Sequence, residues 1–140
     1  MQSLGDALEN TVRLYARRPA VISQAGSITW AQVGHEFGEG AHALTVAGLG
    51  QGDRMGILGL NSARQGELLF AAYWAGVIPV PLNYRLSPRE MAAIIEDAGC
   101  AKVLVDEGFV HSFEQPDLAR YKDRCVVFNT ANPPDGFASY

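Results

Sequence analysis

Residues 77–106 read VIPVPLNYRLSPREMAAIIEDAGCAKVLVD and contain the pattern that decides the fold. An apolar run of strand length at 77–81 is followed by a Ser-Pro-x-Glu capping box at 87–90, which marks the start of a helix. The helical pattern ends at Gly99, and a second continuous apolar run fills 102–106. A strand, a helix and a strand in this order predict a βαβ unit with a right-handed crossover.

The same alternation extends toward the start of the chain. Residues 54–60 form another continuous apolar run, of the kind found in strands buried on both faces. Residues 20–23 and 27–29 flank Gln-Ala-Gly at 24–26 and predict a hairpin. Further helix starts are predicted by hydroxyl residues followed three positions later by an acid or amide, namely Ser3 with Asp6, Thr29 with Gln32, and Ser62 with Gln65. We therefore expect an α/β fold with a largely parallel sheet and flanking helices.

The pattern is weaker beyond Asp106, and residues 107–140 are expected to form a weakly patterned tail. Residues 125–129 are a candidate for one more strand. The Asn- and Pro-rich segment 129–136 is predicted to be a loop.

Composition excludes several classes of protein. The chain has 140 residues, 48% of them hydrophobic and 19% charged, which suits one domain with a real core. The formal net charge is −4 and lysine occurs only at 102 and 122, so a nucleic-acid partner is not expected. No signal peptide and no apolar stretch of membrane-spanning length is found. Cys100 and Cys125 are isolated, which favours a reduced, cytoplasmic compartment.

Several stretches occur in the order of the core motifs of adenylate-forming enzymes and resemble them. They are ITWAQV at 28–33, GDRMGI at 52–57, Asn-Ser at 61–62, YWAGVIPVPLN at 73–83, YRLSPREM at 84–91 and DAGCAKVLV at 97–105. Departures such as Trp30 and Met55 preserve size or polarity. The Arg-Leu pair at 85–86 is typical of acyl-CoA ligases, so the chain is identified as similar to that branch of the family.

The resemblance implies a fold, a reaction and its cofactors. Residues 1–140 would be the amino-terminal part of the large AMP-binding domain of an ATP-dependent acid–thiol ligase. Such enzymes use ATP and Mg²⁺ to convert a carboxylic acid, here expected to be a fatty acid, into an acyl-adenylate, and then transfer the acyl group to coenzyme A.

The family's Ser/Thr/Gly-rich phosphate loop, which ends in Pro-Lys-Gly, does not occur in this sequence. The chain alone is therefore expected to be an inactive fragment that ends before this loop. Its expected partners are the carboxylic acid substrate of the full enzyme and the remainder of the same domain. Self-association through uncovered apolar surface is also expected.

Arg85 is the candidate site residue. It follows a predicted strand at the edge where open α/β sheets bind ligands. In CoA ligases that this chain resembles, the loop at this place can lie near the CoA nucleotide, so Arg85 is a candidate contact for a CoA phosphate. The alternative is a surface arginine or a salt bridge that fixes the loop. No residue is assigned a catalytic role.

A metal site is not expected. His35, Glu39 and His42 have the spacing of ligands on one helix face, but they lie opposite the apolar face that includes Val33 and Phe37. They are therefore predicted to be a solvated surface.

Other interpretations remain open. One is a peptide-synthetase-type adenylation domain, in which Asp usually stands at the position of Asn83. Another is a stand-alone α/β binding or interaction module without catalysis, and a third is a small flavodoxin-like nucleotide-binding domain. The glycines at 48, 50 and 52 precede a strand instead of opening a helix, which is typical of a helix stop and turn and not of a phosphate loop.

Overall fold

The computed structural model describes residues 3–24 and 26–140. The helices are α1 (Leu4–Tyr15), α2 (Trp30–Val46), α3 (Ala63–Ala75), α4 (Pro88–Asp97) and α5 (Pro116–Ala119). The strands are β1 (Pro19–Ser23), β2 (Gly26–Thr29), β3 (Arg54–Leu58), β4 (Ile78–Leu82), β5 (Cys100–Asp106), β6 (Cys125–Phe128) and β7 (Ala138–Ser139). No helix in these ranges has both the length and the apolar character needed to cross a membrane.

The chain divides into two compact units. Unit 1 comprises Met1–Gly52 and Asn61–Val77, and therefore holds α1, α2, α3 and the β1–β2 pair. The antiparallel pairing of β1 with β2 confirms the predicted hairpin, whose turn residue Ala25 lies outside the described residues. The buried residues Leu8, Val33 and Phe37 form a core against which Tyr73 and Trp74 pack.

Three helix starts have the predicted capping box, in which a hydroxyl and a side chain three positions later satisfy backbone N–H groups. The cap residues of these three capping boxes are Ser3, Thr29 and Ser87. At α3 the box is only half formed: Ser62 Oγ accepts a hydrogen bond from the Gln65 N–H at 3.1 Å, but the Gln65 side chain does not return to the cap. Gln65 is 8% exposed, because its side chain turns inward.

Unit 2 comprises Asp53–Leu60 and Ile78–Tyr140. Its strands form a five-stranded sheet in the order β4-β3-β5-β6-β7, with every neighbouring pair parallel. The predicted parallel α/β architecture is thereby confirmed. On α4, Met91, Ala92 and Ile95 are buried and join the core of this unit.

Strand β4 lies at one edge of the described sheet and contains Pro79 and Pro81. The N–H of Ile78 donates to the Asp53 carbonyl at 2.8 Å. Alternate residues of a strand direct their backbone groups to opposite sides. Ile78, Val80 and Leu82 therefore face β3, and the two prolines occupy the outer edge, where they interrupt no pairing with β3.

The segment 107–140 forms more structure than its sequence pattern indicates. Glu107–Glu114 and Lys122–Arg124 are 3-10 helical, and α5 lies between them. The candidate strand at 125–129 is confirmed as β6, whereas β7 was not predicted. Apolar side chains from this segment complete the core of unit 2, among them Val110, Phe113, Leu118, Tyr121 and Phe137.

Candidate functional site at the carboxyl edge of the sheet

The order of the strands identifies one edge of unit 2 as a candidate site. β4 and β5 lie on opposite sides of β3, so the direction of winding changes between β3 and β5. Open α/β sheets bind ligands at such a switch point, outside the carboxyl ends of the strands. The segments that follow the strands at this edge begin at Gly59, Asn83, Glu107 and Asn129.

The turn after β4 is fixed by Asn83. Its side-chain oxygen accepts a hydrogen bond from the Arg85 N–H at 3.0 Å, and its carbonyl accepts one from the Leu86 N–H at 3.1 Å. An Asn side chain that binds the backbone two residues on is a common way to stabilise a turn. The helix cap at Ser87 follows immediately. The turn therefore holds Tyr84 and Arg85 at the surface.

Arg85 is exposed, and its guanidinium carbon lies 5.6 Å from the centre of the Tyr84 ring. Within residues 3–24 and 26–140, its guanidinium makes no hydrogen bond or ion pair. The alternative prediction for Arg85, a salt bridge that fixes the loop, is therefore not met in this part of the chain. A guanidinium placed in this way has its donors available for an anion.

Tyr84 also contacts Phe109, with ring centres 5.7 Å apart. Tyr84 follows β4 and Phe109 follows β5, and these strands flank β3 on its two sides. The aromatic contact therefore crosses the carboxyl end of β3. The sequence reasoning missed this pair, because Phe109 lies in a segment without regular periodicity.

Asp106 and Asn129 join the ends of β5 and β6. The Asp106 carboxylate accepts hydrogen bonds from the Gly108 N–H at 3.0 Å and from the Asn129 side-chain nitrogen at 2.6 Å. Asn129 has φ 65°, a left-handed conformation that Asn tolerates better than most residues. Both residues were missed as a site. The available signal was a polar residue directly after each of two apolar strands.

The described residues hold no cluster of metal-ligating side chains, and burial disfavours the thiolate form of both cysteines. No group of three or more His, Cys, Asp or Glu side chains is placed to share a metal ion. On α2, His35 Nε2 and Glu39 Oε1 are 3.4 Å apart, with side chains 76% and 71% exposed, so the predicted solvated face is confirmed. Burial raises the pKa of the Cys100 thiol and raises that of Cys125 to about 12, which disfavours the reactive thiolates.

Among the described residues at this edge, Arg85 is a side chain suited to a phosphate group. One exposed arginine fits a single phosphate group, whereas adenylation needs a cradle of donors and a metal ion around a polyphosphate. The Asp106 carboxylate is already engaged by Gly108 and Asn129. The exposed guanidinium of Arg85 can therefore contribute a contact to a phosphorylated ligand.

The family of the chain follows from a comparison with known proteins. A family model described as AMP-binding enzyme matches residues 8–135. The chain belongs to the AMP-binding enzyme family. This confirms the resemblance to the adenylate-forming superfamily.

Relatives in this family include ligases for different acids. The chain is 36% identical over 91 residues to the fatty acid–acyl-carrier-protein ligase ScoC of Streptomyces coeruleorubidus, covering 65% of this chain and 18% of that protein. It is 30% identical over 116 residues to a long-chain-fatty-acid–CoA ligase of Escherichia coli O157:H7, covering 81% of this chain and 20% of that one. It is 30% identical over 100 residues to the 3-hydroxybenzoate–CoA ligase of Aromatoleum sp. (strain CIB), covering 71% of this chain and 19% of that protein. The chain therefore spans about one fifth of the length of these AMP-binding enzymes.

Solved structures of related proteins share the fold. The anthranilate CoA ligase AuaEII, in complex with anthranoyl-AMP, matches 99% of this chain and 27% of its own length with a TM-score of 0.83 and 26% identity. The N-terminal domain of FACL13 from Mycobacterium tuberculosis matches 99% of this chain and 33% of its own, with a TM-score of 0.77 and 26% identity. Both likenesses extend over nearly the whole chain, so the hairpin and the segment 107–140 belong to the shared fold.

Proposed function

We propose that residues 1–140 are the amino-terminal part of the large domain of an ATP-dependent ligase that converts a carboxylic acid to an acyl-adenylate and transfers the acyl group to the thiol of coenzyme A. The match of the AMP-binding enzyme family to residues 8–135 carries this proposal. The relatives' names as CoA ligases and the fold shared with an anthranoyl-AMP complex support it. ATP, CoA and Mg²⁺ would serve the complete enzyme.

A fatty acid is the first substrate to test. The support is the 36% identity to a protein named as a fatty acid ligase. That relative is named for an acyl-carrier protein as its acceptor, which makes a carrier-protein thiol a second candidate acceptor. Aryl acids are the alternative substrates, because other relatives are named for 3-hydroxybenzoate and ferulate.

The proposal extends to the isolated chain and its surroundings. The sequence contains no phosphate loop, so residues 1–140 alone should release no pyrophosphate from ATP. The remainder of the same domain is the proposed partner. Leu60 and Ile78, which are 54% and 51% exposed, would promote self-association of the chain when the remainder of the domain is absent.

A cytoplasmic location is part of the proposal, in keeping with the buried free thiols of Cys100 and Cys125.

Two measurements test this function. Sequencing the coding DNA beyond Tyr140 should reveal a Ser/Thr/Gly-rich loop ending in Pro-Lys-Gly, and an immediate stop codon would favour a non-catalytic binding module. The ligase that contains residues 1–140 should release pyrophosphate when given ATP, Mg²⁺ and the correct member of a panel of fatty and aryl acids. Absence of release across the panel would contradict the proposal.

Arg85 is proposed to contact a phosphate of CoA in that enzyme. Its exposed guanidinium at the end of β4, held by the Asn83 turn, supports this role. Arg85→Gln should raise the KM for CoA about tenfold or more, because a hydrogen bond to a charged group is worth about 1.5–3 kcal/mol. The KM for the acid and the rate of pyrophosphate release should change little.

Arg89→Gln is the matched control, since Arg89 is another exposed arginine, on the first turn of α4. It should leave the KM for CoA unchanged. An unchanged KM in Arg85→Gln as well would remove Arg85 from the proposed site without affecting the family assignment.

A further inference from the structure

Helices α2 and α3 of unit 1 pack through a fixed set of aromatic contacts. The ring of Phe37 on α2 lies 5.4 Å from that of Phe70 and 6.1 Å from that of Trp74, both on α3. Val33 and Gly40 are buried on α2. Glu36 lies three residues after Val33 and four residues before Gly40. Residues at these spacings share a helix face. Glu36 is therefore carried into the contact between the two helices.

The Glu36 carboxyl group is unusually placed for an acid. Its Oε2 atom is buried and has no hydrogen-bond partner within the described residues. Burial raises the pKa of Glu36 above its usual value, and the negative charge of Glu67 on α3 raises it further. Arg64 and His35 act in the opposite direction. An ionised carboxylate in this position would be both desolvated and repelled.

Glu67 differs from Glu36 in having a cation beside it. Its Oε2 atom accepts a hydrogen bond from Arg64 Nη1 at 3.0 Å, one turn earlier on α3. Glu67 therefore already has a partner for this oxygen, whereas Glu36 Oε2 has none within the described residues, so a proton in this contact is placed on Glu36. A protonated Glu36 can donate to Glu67, which gives the pair an attractive contact in place of a repulsive one.

The other elements packed against α2 contribute apolar side chains near this region. α1 contacts α2 at Gly34 through the methyl groups of Val12, and β1 and β2 contribute Val21 and Ile28. The charged groups that act on Glu36 are therefore Glu67 and Arg64 from α3, and His35 from α2 itself. His35 is directed to the exposed Glu39.

We propose that Glu36, Glu67 and Arg64 form a proton-dependent contact between α2 and α3, in which protonated Glu36 donates to Glu67 and loss of that proton weakens the packing of the two helices. The folded state holds this proton more tightly than the unfolded chain does. The stabilisation is then fully present below the ordinary glutamate pKa of 4.5 and is lost as the pH rises through the higher folded-state value. This contact does not depend on the proposed ligase activity.

Carbon-13 NMR titration of the Glu36 side-chain carboxyl in the 140-residue chain tests the contact directly. Glu36 should titrate at higher pH than an exposed glutamate. Glu67→Gln should lower its pKa by removing a negative neighbour, and Arg64→Gln should raise it by removing a positive one. Glu39→Gln, a change at an exposed site on the same helix, should leave it unmoved. A Glu36 that titrates at 4.5 and ignores changes at 64 and 67 would overturn the proposal.

Thermal unfolding across pH gives a second readout. Glu36→Gln keeps the shape of the side chain and can still donate to Glu67, so it should fold at every pH. It should raise the Tm near pH 7 by about 2–5 °C relative to the parent chain, and the gain should vanish at pH 4. Glu39→Gln should follow the parent curve. If Glu36→Gln shows the parent's pH dependence, the contact is not proton-dependent.

Discussion

Arginines have different roles at the two ends of the parallel strands in unit 2: those at the amino ends bind backbone carbonyls, and the one at the carboxyl ends is exposed. At the amino ends, Arg54 donates to the carbonyls of Ala98 at 2.8 Å and Gly99 at 3.3 Å, and Arg124 donates to that of Cys100 at 3.2 Å. These bonds tie the end of α4 and the start of β5 to the neighbouring strands. At the carboxyl ends, Arg85 rests on an exposed aromatic ring.

The aromatic residues beside these arginines also differ, because Tyr121 at the amino ends is buried and Tyr84 at the carboxyl ends is exposed. At the amino ends, a shallow cleft of about 260 Å³ is lined by Arg120, Tyr121 and Arg124. Tyr121 is buried, its ring lies 4.8 Å from the guanidinium carbon of Arg120, and Arg120 pairs with Glu96 at 2.7 Å. At the carboxyl ends, Tyr84 is 42% exposed. Arginines lie over aromatic rings at both ends, and it is their hydrogen bonds that separate a structural end from one available to a ligand.

The largest expected effect of a substitution is at Gly99. This residue has φ +62°, and an added Cβ would lie 2.9 Å from Arg54 Nη2. Gly99→Ala should destabilise the chain by about 2 kcal/mol, from left-handed backbone strain and displacement of that arginine. Urea unfolding of the Gly99→Ala chain and of the parent chain measures this loss of stability. In an Arg54→Met background the same change should cost less, and full additivity would show that the two residues do not interact.

The next largest effect is the difference between Arg54 and Arg85. Arg54→Met should lower the free energy of unfolding by about 1–2 kcal/mol, because two carbonyls at the end of α4 lose a charged donor. Arg85→Met should change it by less than about 0.5 kcal/mol, as is usual for surface substitutions. Equal losses in urea unfolding would break the distinction between the two ends.

A smaller loss is expected at Asp106, which tests whether the carboxyl end also has a structural part. Asp106→Ala should cost about 1 kcal/mol, because the Gly108 N–H and the Asn129 amide lose their acceptor. Asp106→Asn retains one acceptor oxygen and should cost less. If alanine and asparagine are equally costly in chemical denaturation, the hydrogen bonds at this position are not the source of the stability.

The sequence predicted the part of the fold that depends on local pattern. The apolar runs around β3, β4 and β5, and the capping boxes at Ser3, Thr29 and Ser87, are readable because strand and helix periodicities and caps involve neighbouring residues. The position of Arg85 at a strand end followed from the same signals.

The parts of the fold that the sequence did not predict depend on contacts between residues that are far apart along the chain. Phe113 and Leu118 enter the core from short helical turns that impose no regular spacing, and β7 has only two residues. The hydrogen bond from Asn129 to Asp106 joins positions 23 residues apart. Asn129 could be identified as a loop residue from its neighbours, but its partner could not.

The prolines of β4 have a consequence for association between molecules. An exposed strand edge normally offers N–H donors that another chain can use to extend the sheet into an aggregate. On the outer edge of β4, the two positions that would supply those donors are Pro79 and Pro81. Within the described residues, this side of the sheet therefore offers fewer donors for strand addition by a foreign chain than an edge without prolines would.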